Sequence, residues 1–167
     1  SLLSFTNVMN NSSWEMHVVA KVISAPNGTA PPNGAQIIGD SGGWLGINTR
    51  TANDPSKVLV APWEYSSSNG ETEVDASTTH IYGSGMVAGS GTANYYTDGN
   101  VISRSGSAND ALPIWSGSAN GGSTIQLGRA YNSSYSTVQV GEVLIFDYPL
   151  TDAQRNDLIS YLQAKWG

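Results

Sequence analysis

Two periodicities divide this chain, and they meet near residue 150. Upstream, apolar residues recur at every second position in short runs cut by glycine, proline and asparagine; downstream they recur every three or four. Trp14, Met16, Val18, Ala20 and Val22 share one face of a run, with Glu15, His17, Val19 and Lys21 on the other. That alternation predicts a half-buried strand over 14–23. The Pro- and Gly-rich stretch from Ala25 to Gly34 cannot sustain a hydrogen-bonded ladder and is expected to be a loop. Further strands are expected at 35–39, 43–48, 57–62 and 78–88, with a polar, acidic loop over 64–76. Asp98-Gly99 lies between Tyr95-Tyr96-Thr97 and Asn100-Val101-Ile102 and predicts a two-residue hairpin turn, because glycine accepts positive φ without strain. Residues 103–122 read as a long loop, and 125–128 and 138–147 as the last two strands. Gly141 inside the final strand marks a bulge or a close backbone approach.

From Thr151 the chemistry changes. Thr151 and Gln154 form a capping box, in which the hydroxyl accepts from the third helical amide and the glutamine reaches back. Leu158, Ile159, Tyr161, Leu162 and Trp166 then supply an apolar face at helical spacing, and Trp166 is expected to pin the helix to the strands. Many short strands, Gly-rich turns and one terminal helix predict an all-β, two-sheet antiparallel sandwich with a short C-terminal α-helix, one domain over 1–167. No fixed internal period is visible, which disfavours propellers and solenoids.

Composition narrows the function. Charged residues are only 12 % of the chain, whereas Gly, Ser, Asn and Thr make up 68 of 167 residues, so small neutral groups furnish the surface. Net charge is −6, and the seven basic residues are scattered singly. Phosphate backbones demand clustered cations, so nucleic acid is not an expected partner. The lack of cysteine removes disulfides, zinc fingers and thiol catalysis. No apolar run approaches the length of a membrane-spanning helix, so membrane insertion is not expected either.

The segment from Gly141 through Phe146-Asp147-Tyr148-Pro149-Leu150-Thr151-Asp152-Ala153-Gln154-Arg155, followed by Tyr161 to Gly167, resembles the C-terminal signature of laminin-G-like domains. These belong to the concanavalin A-like lectin/glucanase superfamily. Tyr96 to Val101 is similar to that family's central hairpin, Ile125 to Gly128 to one of its strands, and Trp14 to Val22 to its first long strand. The pieces occur in the right order over most of the chain. The resemblance implies a jelly-roll sandwich with one curved face. It also implies that long relatives carry a further segment upstream, so this chain is expected to be the C-terminal part of a larger protein.

The fold hosts lectins, adhesion modules, glycosidases and structural parts, so function has to come from the residues. Glycosidases of the superfamily carry three acids on one strand. Here Glu73-Val74-Asp75 is followed by Ala76, Ser77 and Thr78, and the third acid is missing. No catalytic residue is therefore assigned, and the chain is expected not to be an enzyme. His17 and His80 read as strand-face polar residues, partly exposed. Asp40 and Asp110 are candidates for a structural calcium site, because hard oxygen ligands are what that ion requires. No other cofactor is expected. Sugar recognition needs an aromatic platform beside amide and carboxyl groups. Trp63, Tyr65, Trp115, Tyr131 and Tyr135, with Asn132, are the candidate ligand-binding residues in predicted loops. The leading expectation is a non-catalytic domain that binds a cell-surface glycan or receptor. It would sit outside the cell or on a virion surface, as in a phage fibre or bacterial surface protein, and as a homotrimer if in a fibre. A decoration or assembly module without a sugar site is the alternative, with a divergent glycoside hydrolase behind it.

Overall fold

A computed structural model describes residues 3–6, 13–24, 35–40, 46–51, 56–62, 72–75, 77–86, 93–101, 124–129 and 135–167. Among these, the chain forms strands in two antiparallel sheets and one C-terminal helix. One sheet has the order β1 (Leu3–Thr6), β10 (Thr124–Leu127), β3 (Ala35–Asp40), β4 (Gly46–Thr51), β5 (Lys57–Pro62), β6 (Thr72–Asp75). The other has the order β11 (Thr137–Phe146), β2 (Trp14–Ser24), β7 (His80–Met86), β8 (Ala93–Thr97), β9 (Asn100–Val101). The all-β expectation with a terminal helix is what the chain shows.

One core joins the two sheets. Trp14, Met16, Val18, Ala20 and Val22 of β2 pack with Ile37, Ile38, Ile47, Ile125 and Leu127 from the six-stranded sheet. The period-two pattern therefore named the inward face of β2 correctly. The expectation that β2 is half-buried does not hold. Glu15, His17 and Val19, on its outer face, are also buried, because α1 (Asp152–Trp166) lies across that face. Val19, Ile81, Ile159 and Leu162 form a second, smaller apolar cluster there.

The helix begins as its capping box requires. Gln154 N–H donates to Thr151 Oγ1 at 3.3 Å, and Thr151 N–H donates to Gln154 Oε1 at 3.0 Å. Its buried face is Arg155, Ile159 and Leu162, spaced at four and three residues, with Leu158 partly covered. The expected apolar face is thus rotated: Tyr161 is 49 % exposed and Trp166 39 %. Trp166 still anchors the helix end. Its ring sits against the bulge at Gly141, where an added Cβ would lie 3.0 Å from the indole, and its Nε1–H donates to Glu142 at 2.9 Å.

Two other boundaries move. The region expected to be a loop over 64–76 ends in strand β6, whose single apolar residue, Val74, is too little to show alternation. The strand expected at 43–48 is β4 at Gly46–Thr51, with 43–45 outside the described residues. The Asp98-Gly99 turn is as expected, with φ of 51° and 83°.

Candidate functional site

Polar side chains converge at two places on the outer face of the sheet that contains β2. The first is a closed lock. Glu15 is 1 % exposed and its carboxylate is held by four hydrogen bonds from three residues. Arg155 donates side-on, Nε to Oε1 at 2.7 Å and Nη2 to Oε2 at 3.0 Å. His17 Nε2 lies 2.7 Å from Oε1, and Leu150 N–H donates to Oε2 at 3.0 Å. Burial alone pushes the Glu15 carboxyl up, but donors from His17, Arg155 and Leu150 overcome it and hold the group at about 2. Arg155 also donates to Leu150 O and Asp152, and stands 4.5 Å over the Tyr96 ring.

Space for this lock is made on the neighbouring strand. Register pairs His17 with Gly83 and Glu15 with Gly85. A Cβ at Gly83 would lie 2.7 Å from the His17 ring, and one at Gly85 would lie 3.1 Å from Glu15 Cγ. His17 is therefore wholly buried, contrary to its expected partial exposure. The lock ties α1 to β2 through Arg155 and Glu15, and within it His17 Nδ1 is buried without a hydrogen-bond partner among the described residues.

The second place is open. A groove of about 370 Å³ lies between the last turns of α1 and the start of β7, floored by Val19, Ile81 and Leu162. On its wall, three side chains form a hydrogen-bonded line. Asp98 Oδ1 accepts from Ile81 N–H at 2.8 Å and Oδ2 lies 2.7 Å from His80 Nδ1. His80 Nε2 lies 2.8 Å from Thr78 Oγ1, and that hydroxyl donates to Asp75 O at 3.2 Å. A carboxylate only accepts, so Nδ1 is the donor to Asp98.

Hydrogen bonding to Asp98 raises the His80 pKa above its ordinary 6.5, against a smaller downward push from burial. For Asp98, burial pushes upward, but the bonds from His80 and Ile81 N–H win and hold it below its ordinary 3.8. The His80 contribution to stability is therefore complete below pH 6.5 and is lost as pH rises through the higher folded value. The Asp98 contribution is complete above pH 3.8 and is lost as pH falls through the lower folded value. Thermal unfolding should thus show Tm falling above pH 6.5. His80→Gln should flatten that fall and also weaken the Asp98 part of the acid limb, leaving the Glu15 part in place. Equal slopes in the two proteins would show that the His80–Asp98 pair is not formed in solution.

Of the expected ligand residues, Tyr135 lies among the described residues; Trp63, Tyr65, Trp115, Tyr131 and Asn132 lie outside them. Tyr135 is 61 % exposed and bridges to Arg129, whose guanidinium carbon lies 5.9 Å from the ring centroid. Arg129 Nε is buried without a hydrogen-bond partner among the described residues. Asp110 lies outside the description, and Asp40 ends β3 with its side chain likewise undescribed. Among the described residues, no three His, Asp or Glu side chains gather to hold a metal ion. Asp75 is exposed at the edge and accepts from Ser77 N–H at 2.7 Å; Val74 beside it faces the core.

Sequence reasoning missed Arg155, Glu15 and the His80–Asp98 pairing. Arg155 falls at helical spacing with Ile159 and Leu162, and Gly83 and Gly85 stand two apart on one strand. Those two spacings were the available signals.

No protein-family model and no curated protein matches the sequence. Solved structures do. Trypanosoma rangeli sialidase in complex with 2,3-difluorosialic acid superposes with a TM-score of 0.61 at 16 % identity, covering 89 % of this chain and 23 % of that one. The likeness is one of fold. Botulinum neurotoxin type C, whose cell entry depends on interaction with two ganglioside molecules, gives a TM-score of 0.57 at 16 % identity. The binding domain of botulinum neurotoxin DC, solved with rat synaptotagmin II, gives 0.56 at 16 % identity. Both toxin matches cover 97 % of this chain and 40 % of the other. This chain therefore spans well under half the length of these neighbours.

Proposed function

We propose that this chain is a non-catalytic recognition domain, a laminin-G-like jelly-roll sandwich that binds glycan on a cell surface. The observation that carries the reading is the Arg129–Tyr135 pair. An aromatic ring left mostly in solvent, backed by a guanidinium, offers an apolar face for a sugar ring. Tyr131 and Asn132 of the candidate set lie between these two residues in the sequence. The sialidase and the toxin domains support the reading only as proteins of similar fold whose own ligands include sialic acid derivatives and gangliosides.

A glycan array probed with the whole chain tests it. Tyr135→Ala should weaken binding to any glycan retained on the array by about tenfold or more, equivalent to about 1.4 kcal/mol. Its Tm should stay within about 1 °C of the wild type, as expected for a surface change away from the core. An array without signal, or a Tyr135→Ala protein that binds like the parent, overturns the proposal.

A further inference from the structure

The groove beside α1 is unrelated in residues to the Arg129–Tyr135 pair, and its own chemistry is specific. The geometry points to a second ligand site there, for a neutral, hydroxyl-rich ring of the hexopyranose class. The size fits, because small-molecule sites begin at about 300 Å³, and this groove measures about 370 Å³. Its floor is aliphatic and Trp166 is among its lining residues, which suits the C–H face of a sugar ring.

The walls decide the ligand's charge. The ionisable side chains lining the groove, His80 and Asp98, are bonded to each other at 2.7 Å, and its described lining holds no Lys or Arg. An anionic ligand entering here would be desolvated beside the Asp98 carboxylate with no Lys or Arg to meet it, which disfavours acidic ligands. The groove also offers neutral capacity. The Asp98 oxygens keep lone pairs beyond those used by His80 and Ile81 N–H. Thr79 and Gln163, both exposed, add a hydroxyl and an amide at the rim, each able to donate and accept. Hydroxyl groups of a sugar match such partners, since each also donates and accepts.

The line of bonds through Thr78, His80 and Asp98 fixes these groups before any ligand arrives. Preorganised polar groups lose little entropy on binding, which favours recognition of a small ligand with few contacts.

Amide and indole NMR shifts of the whole chain, titrated with methyl glycosides of glucose, galactose, mannose and N-acetylglucosamine, read the site directly. At least one sugar should give saturable shifts at His80, Ile81, Asp98 and the Trp166 indole. The Kd should be about 1–10 mM, the range expected from a few hydrogen bonds and one apolar face. Thr79→Val and Gln163→Ala, both at exposed positions, should each weaken that binding about threefold to tenfold. Tyr135→Ala should leave it unchanged, so failure here and failure of the glycan reading at Tyr135 are separable. N-acetylneuraminic acid should not shift the groove signals. The inference is overturned if no neutral glycoside shifts these signals, if the acidic sugar alone does so, or if neither rim variant changes the affinity.

Discussion

Arg155→Ala should lower the free energy of unfolding by about 3–5 kcal/mol, the cost of stranding a buried charge that has lost its partner. The substitution removes two bonds to Glu15, the bond to Leu150 O and the contact over Tyr96. Glu15 would keep His17 and Leu150 N–H but would stay buried. The urea midpoint measures the loss. The paired substitution Glu15→Gln with Arg155→Met should recover much of it, because no unpaired charge is left behind. Acid unfolding supplies a second reading. The folded Glu15 carboxyl sits at about 2, below its ordinary 4.5, so its stabilisation is complete above pH 4.5 and fades as pH falls toward 2. Without Arg155 the folded value rises, and acid unfolding should begin at higher pH. An Arg155→Ala protein as stable as the parent, with the same acid limb, would show that the lock does not hold the helix.

Leu162→Ala should cost about 2–5 kcal/mol, the range for truncating a fully buried leucine. Leu162 is wholly buried and packs with Val19, Ile81 and Ile159 where helix and sheet meet. Its loss removes the main apolar tie between α1 and β7 and opens the floor of the groove. The control is its neighbour on the helix. Tyr161 is half exposed, and Tyr161→Ala should change stability by about 0.5 kcal/mol or less. Thermal or urea unfolding of the two variants separates the faces. Equal losses would contradict the rotation of the helix described above.

That rotation shows where the sequence was readable and where it was not. The inward face of β2, the Asp98-Gly99 turn, the capping box and the close approach at Gly141 were legible, because each depends on neighbours in the chain. The outer face of β2 was not. Glu15 and His17 look solvent-facing by alternation, and only the arrival of α1 buries them. Arg155 reads as a solvent-facing charge on a helix until it is set beside Ile159 and Leu162. Strand β6, with Thr72, Glu73 and Asp75 around Val74, has an edge strand's polarity and resembles a loop. At the candidate sites, the exposure of Tyr135 was legible from the Ser and Asn residues around it. His80 and Asp98 were each given a local role, one as a polar strand residue and the other as a turn residue. Their pairing arises from the β7–β8 register, which places Tyr82 opposite Thr97 and so sets Asp98 beside Ile81, the residue next to His80.

The Glu15–Arg155 lock joins residues 140 positions apart. During synthesis, the first long strand leaves the ribosome with its acid, its histidine and an apolar inner face all unmatched. The partner that completes it, α1, is made only after strands β1 to β11. β2 also waits for β11, its antiparallel neighbour. Pairings this distant in sequence slow folding. A chain whose β2 and β7 have paired before α1 arrives would therefore expose the uncovered outer face of that sheet to chaperones and proteases.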